Sequence, residues 1–467
     1  MTARSLGWIT GVGAAILSAS PGPAQGQSNQ ELMAIIRQQQ RQIEELSRRL
    51  DALQGQTQEA TEKADAASQT AGQVAEDSDW EVSWGPSPTF RSKDGRFETH
   101  LRGRLFVDGG YLDDEDGFYS NDNATELRAA RIGVEGIAWR DWEYRLEVDF
   151  ANSEVDITDA FIQYNGAPIE PAFIRVGQFK TPNSLEEQTS SRFITFMERA
   201  AFTDAFDFDR RIGLGSGVGG DNWAVTAGLF GQNAADVANN EGFAAAGRGH
   251  YAFLEPLGAN SVIHLGGSWR FRDLKNDVDD DSARYRQRPF FHFTDTRSVD
   301  TGTLADAEND VFAGPEAALV LGPFSLQAEA GHTWLQRDGD ASDADGLWGG
   351  YLSASYFLTG ESRNYDAEEG VFGRVRVNDP VFEGGPGAWE IGARFDYIDL
   401  NDDGADVRGG EQYSVIAGAN WYANNHIRFM LDYALTNVFD ASDSPGAAVD
   451  GSENLIQGIG LRAQVDF

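Results

Sequence analysis

Cysteine is absent from the 467 residues, which excludes a disulfide scaffold and any thiolate-based metal or nucleophile site. Positive charge is scarce: 37 Lys and Arg stand against 74 Asp and Glu, a formal net charge of −37. That balance excludes a nucleic-acid partner, whose phosphates demand a basic footprint. Long hydrophobic runs are also lacking. The apolar run Ile9 to Ala19 is shorter than the roughly 20 residues a transmembrane helix needs, and nothing later reaches that length. A membrane-spanning form of this chain must therefore be a closed β-barrel. Histidines are few and isolated, at 100, 250, 264, 292, 332 and 426. His264 and Ser268 share one strand face, but four residues along a strand is about 13 Å, beyond hydrogen-bond reach. No hydrolase, P-loop or zinc motif occurs, and DGDASDADG (338–346) lacks the spacing and terminal Glu of a calcium loop. No enzyme, metal site or cofactor is expected.

The N-terminus carries three short segments. Arg4, the apolar run and Gly22-Pro23-Ala24 read as a signal peptide over 1–24, so the chain is exported. Over 28–54, Leu32, Ile36, Gln39, Ile43, Leu46, Leu50 and Leu53 step by four and three, the seam of a coiled coil that self-associates. Residues 55–79 hold almost nothing to bury and read as a flexible linker.

From Trp80 the apolar period becomes two. Trp142, Tyr144, Leu146, Val148 and Phe150 alternate with Glu143, Arg145, Glu147 and Asp149, and the pattern recurs in 101–108, 263–272, 389–396, 427–433 and 459–467. One face is heavily charged and the other rich in aromatics. A soluble sandwich hides its apolar face, whereas this pairing suits a lipid-facing exterior and a watery lumen. Strands are expected near 97–111, 125–138, 141–151, 156–164, 171–179, 209–219, 222–230, 244–256, 260–272, 308–321, 323–337, 346–359, 387–400, 411–423, 426–438 and 455–467. The fold class expected is all-β: a 16-stranded antiparallel transmembrane barrel over 80–467, preceded by the helical coiled coil. Tight turns alternate with long acidic loops, the asymmetry of periplasmic turns and outer loops. On this count 273–307 is one long loop, with Pro289 arguing against a strand, and 360–386 is an unusually long connection on the turn side.

One connection differs from the rest. Between strands at 173–177 and 211–214, a constriction loop at about 180–208 carries Leu185, Phe193, Phe196, Met197, Phe202, Phe206 and Phe208 among dense charge. A disordered segment lacks such residues. A loop both apolar and charged needs one apolar wall and one wet one, and the lumen of a barrel offers both.

GQFKTP (177–182), SLEEQTSSRFITFMERA (184–200), RPFFHFTDTRSVDTGTL (288–304), GPFSLQAEA (322–330), TGESRNYDAEEGVFGRV (359–375), GAWEIGARFDYIDLND (387–402) and GEQYSVIAGANWYANNHIRFMLDY (410–433) together resemble the family of phosphate-selective porins O and P. The resemblance implies a homotrimer in the lipid of the bacterial outer membrane, its third outer loop folded into the pore. It also implies passage of phosphate or other anions along lumen arginines to a lysine-bearing constriction. On the residues of this chain, the anion-binding candidates at the constriction are Lys180, Arg192, Arg199 and Arg211. By strand parity Arg102, Arg104, Arg131, Arg145, Arg270, Arg272, Arg394, Arg428 and Arg462 point inward. So do Asp108, Glu135, Glu143, Glu147, Asp149, Glu390, Asp396, Asp432 and Asp466, which makes each arginine equally a brace to a neighbouring carboxylate. Arginine suits phosphate because its planar fork presents paired donors. The function expected is passive diffusion of small hydrophilic solutes, with inorganic anions such as phosphate foremost. The alternative is a general or sugar-type porin; an outer-membrane enzyme or a soluble β-sandwich binding protein ranks below both.

Overall fold

The computed structural model describes residues 79–114, 122–166, 172–235, 242–275, 281–440 and 453–467, together with scattered positions between 33 and 63. It divides into two units, Met1–Ser78 and Asp79–Phe467. In the first, the described positions from Met33 to Lys63 are helical and exposed, Ile43 among them. Arg49 meets Glu45, and Lys63 meets Glu59, each at 2.7 Å one turn away, the spacing that supports a solvated helix. Helical geometry thus continues past residue 54, where the heptads end. The leader 1–24, the remaining seam positions and 64–78 lie outside the described residues.

In the second unit alternation dictates a sheet that closes on itself. Sixteen strands follow one another: β1 (Glu98–Asp114), β2 (Asp122–Ala138), β3 (Trp142–Asp149), β4 (Asp156–Tyr164), β5 (Ala172–Lys180), β6 (Arg210–Gly220), β7 (Trp223–Phe230), β8 (Ala244–Leu254), β9 (Ser261–Asp273), β10 (Ala307–Leu321), β11 (Phe324–Arg337), β12 (Ala344–Phe357), β13 (Ala388–Asp402), β14 (Val407–Asn424), β15 (Ile427–Phe439) and β16 (Asn454–Asp466). Each pairs antiparallel with the next, and β16 returns to β1 with Arg462 opposite Asp108. Phe467 and Gly103 exchange two backbone hydrogen bonds at 3.0 Å and finish the seam. A hairpin not foreseen in the sequence, Trp80–Trp84 with Pro88–Ser92, pairs with the first residues of β1 where β16 has ended.

Strand period two turns Trp269, Trp348, Leu352, Trp389, Phe395, Phe429 and Leu461 outward, where they are exposed. It turns Arg102, Glu147, Arg270, Glu329, Arg394, Asp432 and Arg462 inward, where they are buried. An apolar exterior around a charged interior is what a barrel in lipid requires.

The lumen is filled by connections rather than by wall side chains alone. The segment 181–209 enters from the long-loop end, with Phe196, Met197, Phe202 and Phe206 buried in the main apolar cluster. So does 281–306, which is not a plain outer loop: two short ladders, Ser282–Ala283 with Leu304–Ala305 and Arg286–Gln287 with Val299–Asp300, fold it back. Tyr285, Phe290 and Phe291 then join the same cluster. From the turn end comes 358–387, whose length had no reason in a strand count. Phe372 packs on Leu185, Ala318 and Val320, and Arg248 Nη2 donates to the Gly370 carbonyl at 2.6 Å.

Glycines on the inner face of the wall make room for these rings. Phe196 lies against Gly392 and Gly418, Phe202 against Gly331 and Gly349, and Phe291 against Gly458 and Gly460. A Cβ at Gly460 would stand 2.5 Å from the Phe291 ring. Gly460→Leu is therefore expected to unseat 281–306, exposing Arg297 to trypsin. Phe291→Ala in the same chain should restore protection by vacating the space, and a single variant as resistant as the parent would contradict this packing.

Candidate functional site

The constriction loop is held by its backbone, and the barrel wall supplies both kinds of partner. Wall carboxylates accept from its N–H groups: Glu329 from Leu185 and Glu186 at 2.8 Å, Asp432 from Met197 at 2.7 Å, and Asp396 from Ala201 at 3.1 Å. Wall arginines donate to its carbonyls: Arg428 to Ile194 at 2.7 Å and Thr195 at 2.8 Å, Arg462 to Met197 at 2.7 Å, and Arg394 to Glu198 at 3.2 Å. A segment with little regular structure would otherwise bury unpaired backbone groups. Charge-assisted bonds of this kind are the stronger ones. Ser184 caps the one-turn helix Leu185–Gln188 by accepting from Glu187 N.

The basic residues singled out in the sequence all lie inside the barrel, and most carry a carboxylate partner. Arg102 Nε meets Glu147 at 2.7 Å and its Nη1 meets Glu135; Arg104 reaches Glu147 at 3.2 Å. Arg131 meets Asp149 at 2.7 Å and Arg145 meets Glu135 at 2.6 Å. On the opposite side, Arg270 and Arg272 share Asp310, and Arg272 also bridges to Asp207 at 2.7 Å. Arg211 lies 3.7 Å from Asp207, and Arg394 pairs with Glu186. Lys180 stands where the loop begins, but its ammonium turns back into the loop, 3.2 Å from Glu187 Oε1 and bonded to the Glu187 carbonyl. Arg199 meets the same Glu187 at 3.0 Å. Lys180 and Arg199 thus brace the loop's shape from within.

Two cavities among the described residues gather basic side chains. The first, towards the turn end, is a cleft of about 10 Å³ where Arg192, Arg374, Arg428 and His426 gather around one carboxylate, Asp466. Arg374 pairs with Asp466, Arg192 lies 3.9 Å from it, and Arg428 has no carboxylate among its described partners. Burial, and then the neighbouring Arg102 guanidinium, push Arg192 down to about 10, which leaves it charged at neutral pH. The second cavity, about 180 Å³, lies between 181–209 and 281–306. Four guanidiniums (Arg128, Arg199, Arg210, Arg288) and four carboxylates (Glu187, Glu198, Asp204, Asp209) line it. Burial alone would raise the Glu198 carboxyl, but Arg128 and Arg462 overcome it and hold it below the usual range.

Arg128, Arg210, Arg288 and Arg374 escaped the sequence reading. Arg128 is the extra residue of a bulge in β2, where Phe106 faces Ala129 but Val107 faces Leu127. The bulge reverses parity and sends Arg128 into the lumen, 3.1 Å from Glu198. Arg288 and Arg374 lie in connections; the buried neighbours Phe290, Phe291 and Phe372 were the available signal, since acidic outer loops do not need phenylalanine.

A closed sixteen-stranded barrel with an apolar outside, a charged inside and an inward-folded loop defines a porin-type channel of the bacterial outer membrane. The chain belongs to the family described as phosphate-selective porin O and P, whose sequence model matches residues 100–467. It is similar to porin O of Pseudomonas aeruginosa, at 29% identity over 73% of this chain and 83% of that protein. It is also 32% identical to an uncharacterized protein of Caulobacter vibrioides, over 97% of this chain and 94% of that one. The fold is shared with the outer membrane channel DcaP of Acinetobacter baumannii at a TM-score of 0.50 and 14% identity, covering 81% of this chain and 99% of that one.

Proposed function

We propose that this porin lets small hydrophilic solutes diffuse passively and favours inorganic anions such as phosphate. The observation that carries the preference is the turn-end cleft, where Arg192, Arg374 and Arg428 surround the single carboxylate Asp466. Around Arg102, Arg104, Arg131 and Arg145 positive charge is compensated at close range; in this cleft it is in excess, and low-dielectric walls concentrate its field. Guanidinium forks suit the oxygens of phosphate. The family name and the likeness to porin O point the same way. A second reading, a general porin without phosphate preference, draws on the pairing of Arg102, Arg104, Arg131 and Arg145 with Glu135, Glu147 and Asp149.

Reversal potentials in KCl gradients, repeated with phosphate, separate the two. Arg192→Gln with Arg374→Gln removes two of the three cations, and the potential is expected to move towards cation preference. An unmoved potential would leave only the general porin. Self-association is proposed on the heptads at 28–54 and, as a trimer, on the family resemblance. Cross-linking of the detergent-extracted protein should give a trimer ladder, whereas a monomer would remove this part of the proposal.

A further inference from the structure

We propose that the larger cavity, between the constriction loop and the 281–306 segment, is a station for zwitterionic solutes, the α-amino acids with small side chains. The inference rests on the passive-diffusion reading and adds a class of solute to it. Its first ground is charge balance. Guanidiniums and carboxylates line the chamber in equal number. An anion entering it meets fixed carboxylates as well as guanidiniums, and a cation meets the reverse. Either one leaves the chamber with a net charge and one of the two signs unanswered. A solute carrying both signs on adjacent carbons leaves the balance unchanged.

The second ground is geometric. Most pairs in the chamber are tight: Arg128 holds Glu198 at 3.0 Å, Arg199 holds Glu187 at 3.0 Å, and Arg210 holds Asp159 at 2.9 Å. One pair is loose. Arg288 Nη1 and Asp204 Oδ2 stand 3.9 Å apart, one from each inward segment, and the Asp204 side chain is half exposed. No hydrogen bond reaches the Asp204 carboxylate among the described residues, and Arg288 donates only through Nε, to the Thr294 carbonyl. The free faces of these two groups offer a guanidinium to a carboxylate and a carboxylate to an ammonium within one small chamber. That is two-point recognition of an α-amino acid.

The test compares solutes of one size that differ in charge: alanine, lactate and protonated 1-amino-2-propanol. Labelled flux into proteoliposomes holding the full-length protein is measured above protein-free vesicles. Alanine is expected to enter several-fold faster than either singly charged analogue. Asp204→Asn should lower alanine flux and raise that of lactate, and Arg288→Gln should raise that of the amine. The double variant keeps the chamber balanced but lacks both contacts, so its preference for alanine should vanish. A parent channel that conducts but passes lactate as fast as alanine would overturn the inference and leave the porin reading standing. So would a double variant that keeps the preference. Absence of both flux and conductance steps would overturn the two together.

Discussion

Deleting residues 186–206 is expected to raise single-channel conductance several-fold, flatten ion selectivity and leave the barrel intact. The loop fills the lumen with Phe196, Met197, Phe202 and Phe206, so its removal replaces protein by water across the pore. The wall groups that hold it (Glu329, Asp396, Asp432, Arg394, Arg428 and Arg462) would lose partners, and a buried charge without a partner is costly. In this deletion, however, they are not left buried. Water enters with the loop's departure and hydrates them, and the strand ladders that close the wall run independently of the loop. The 281–306 segment should loosen as well, because Tyr285 packs edge-on against Phe206 with ring centres 6.0 Å apart. Strand-dominated circular dichroism and heat-dependent gel mobility check the barrel, and planar-bilayer recordings check the pore. Unchanged conductance with an intact barrel would mean that the loop does not obstruct the path.

The alternation that made the strands legible is a local property, two residues deep, which is why all sixteen were readable from side-chain character alone. The loop was readable for the same reason: Phe193 to Phe208 sit within one stretch beside Arg192, Glu198 and Arg199. What the loop touches was not. Its partners lie far along the chain, Arg394 being 208 residues from Glu186 and Asp432 being 235 from Met197. Parity identifies which arginines face the lumen but not which carboxylate each one meets. It also fails at a bulge, as at Arg128. The glycines at 392, 418, 458 and 460 carry no signal in a strand pattern, and the opposite rings explain them. Lys180 shows the limit most directly. It stands where the loop begins, but its ammonium braces Glu187, a contact no strand pattern encodes.

Releasing the loop without deleting it should produce a different phenotype, and the wall carboxylates are the place to do it. Asp432→Ala leaves Met197 N–H without its acceptor, and Asp396→Ala does the same to Ala201 N–H. Each orphaned buried donor costs about 1–3 kcal/mol, and sites on separate strands add approximately. The double alanine variant is thus expected to let the loop leave its seat for part of the time. Bilayer recordings should show flicker to a higher conductance level, and trypsin should reach Arg192 and Arg199, which the folded loop keeps largely covered. Barrel melting should barely change, because the bonds lost belong to the loop. Asn at both positions separates the lost acceptor from the lost charge. Its amide oxygen can still accept from the backbone, so the Asn pair should restore most of the trypsin resistance. If both pairs resist trypsin and conduct like the parent, the wall carboxylates do not hold the loop in the pore.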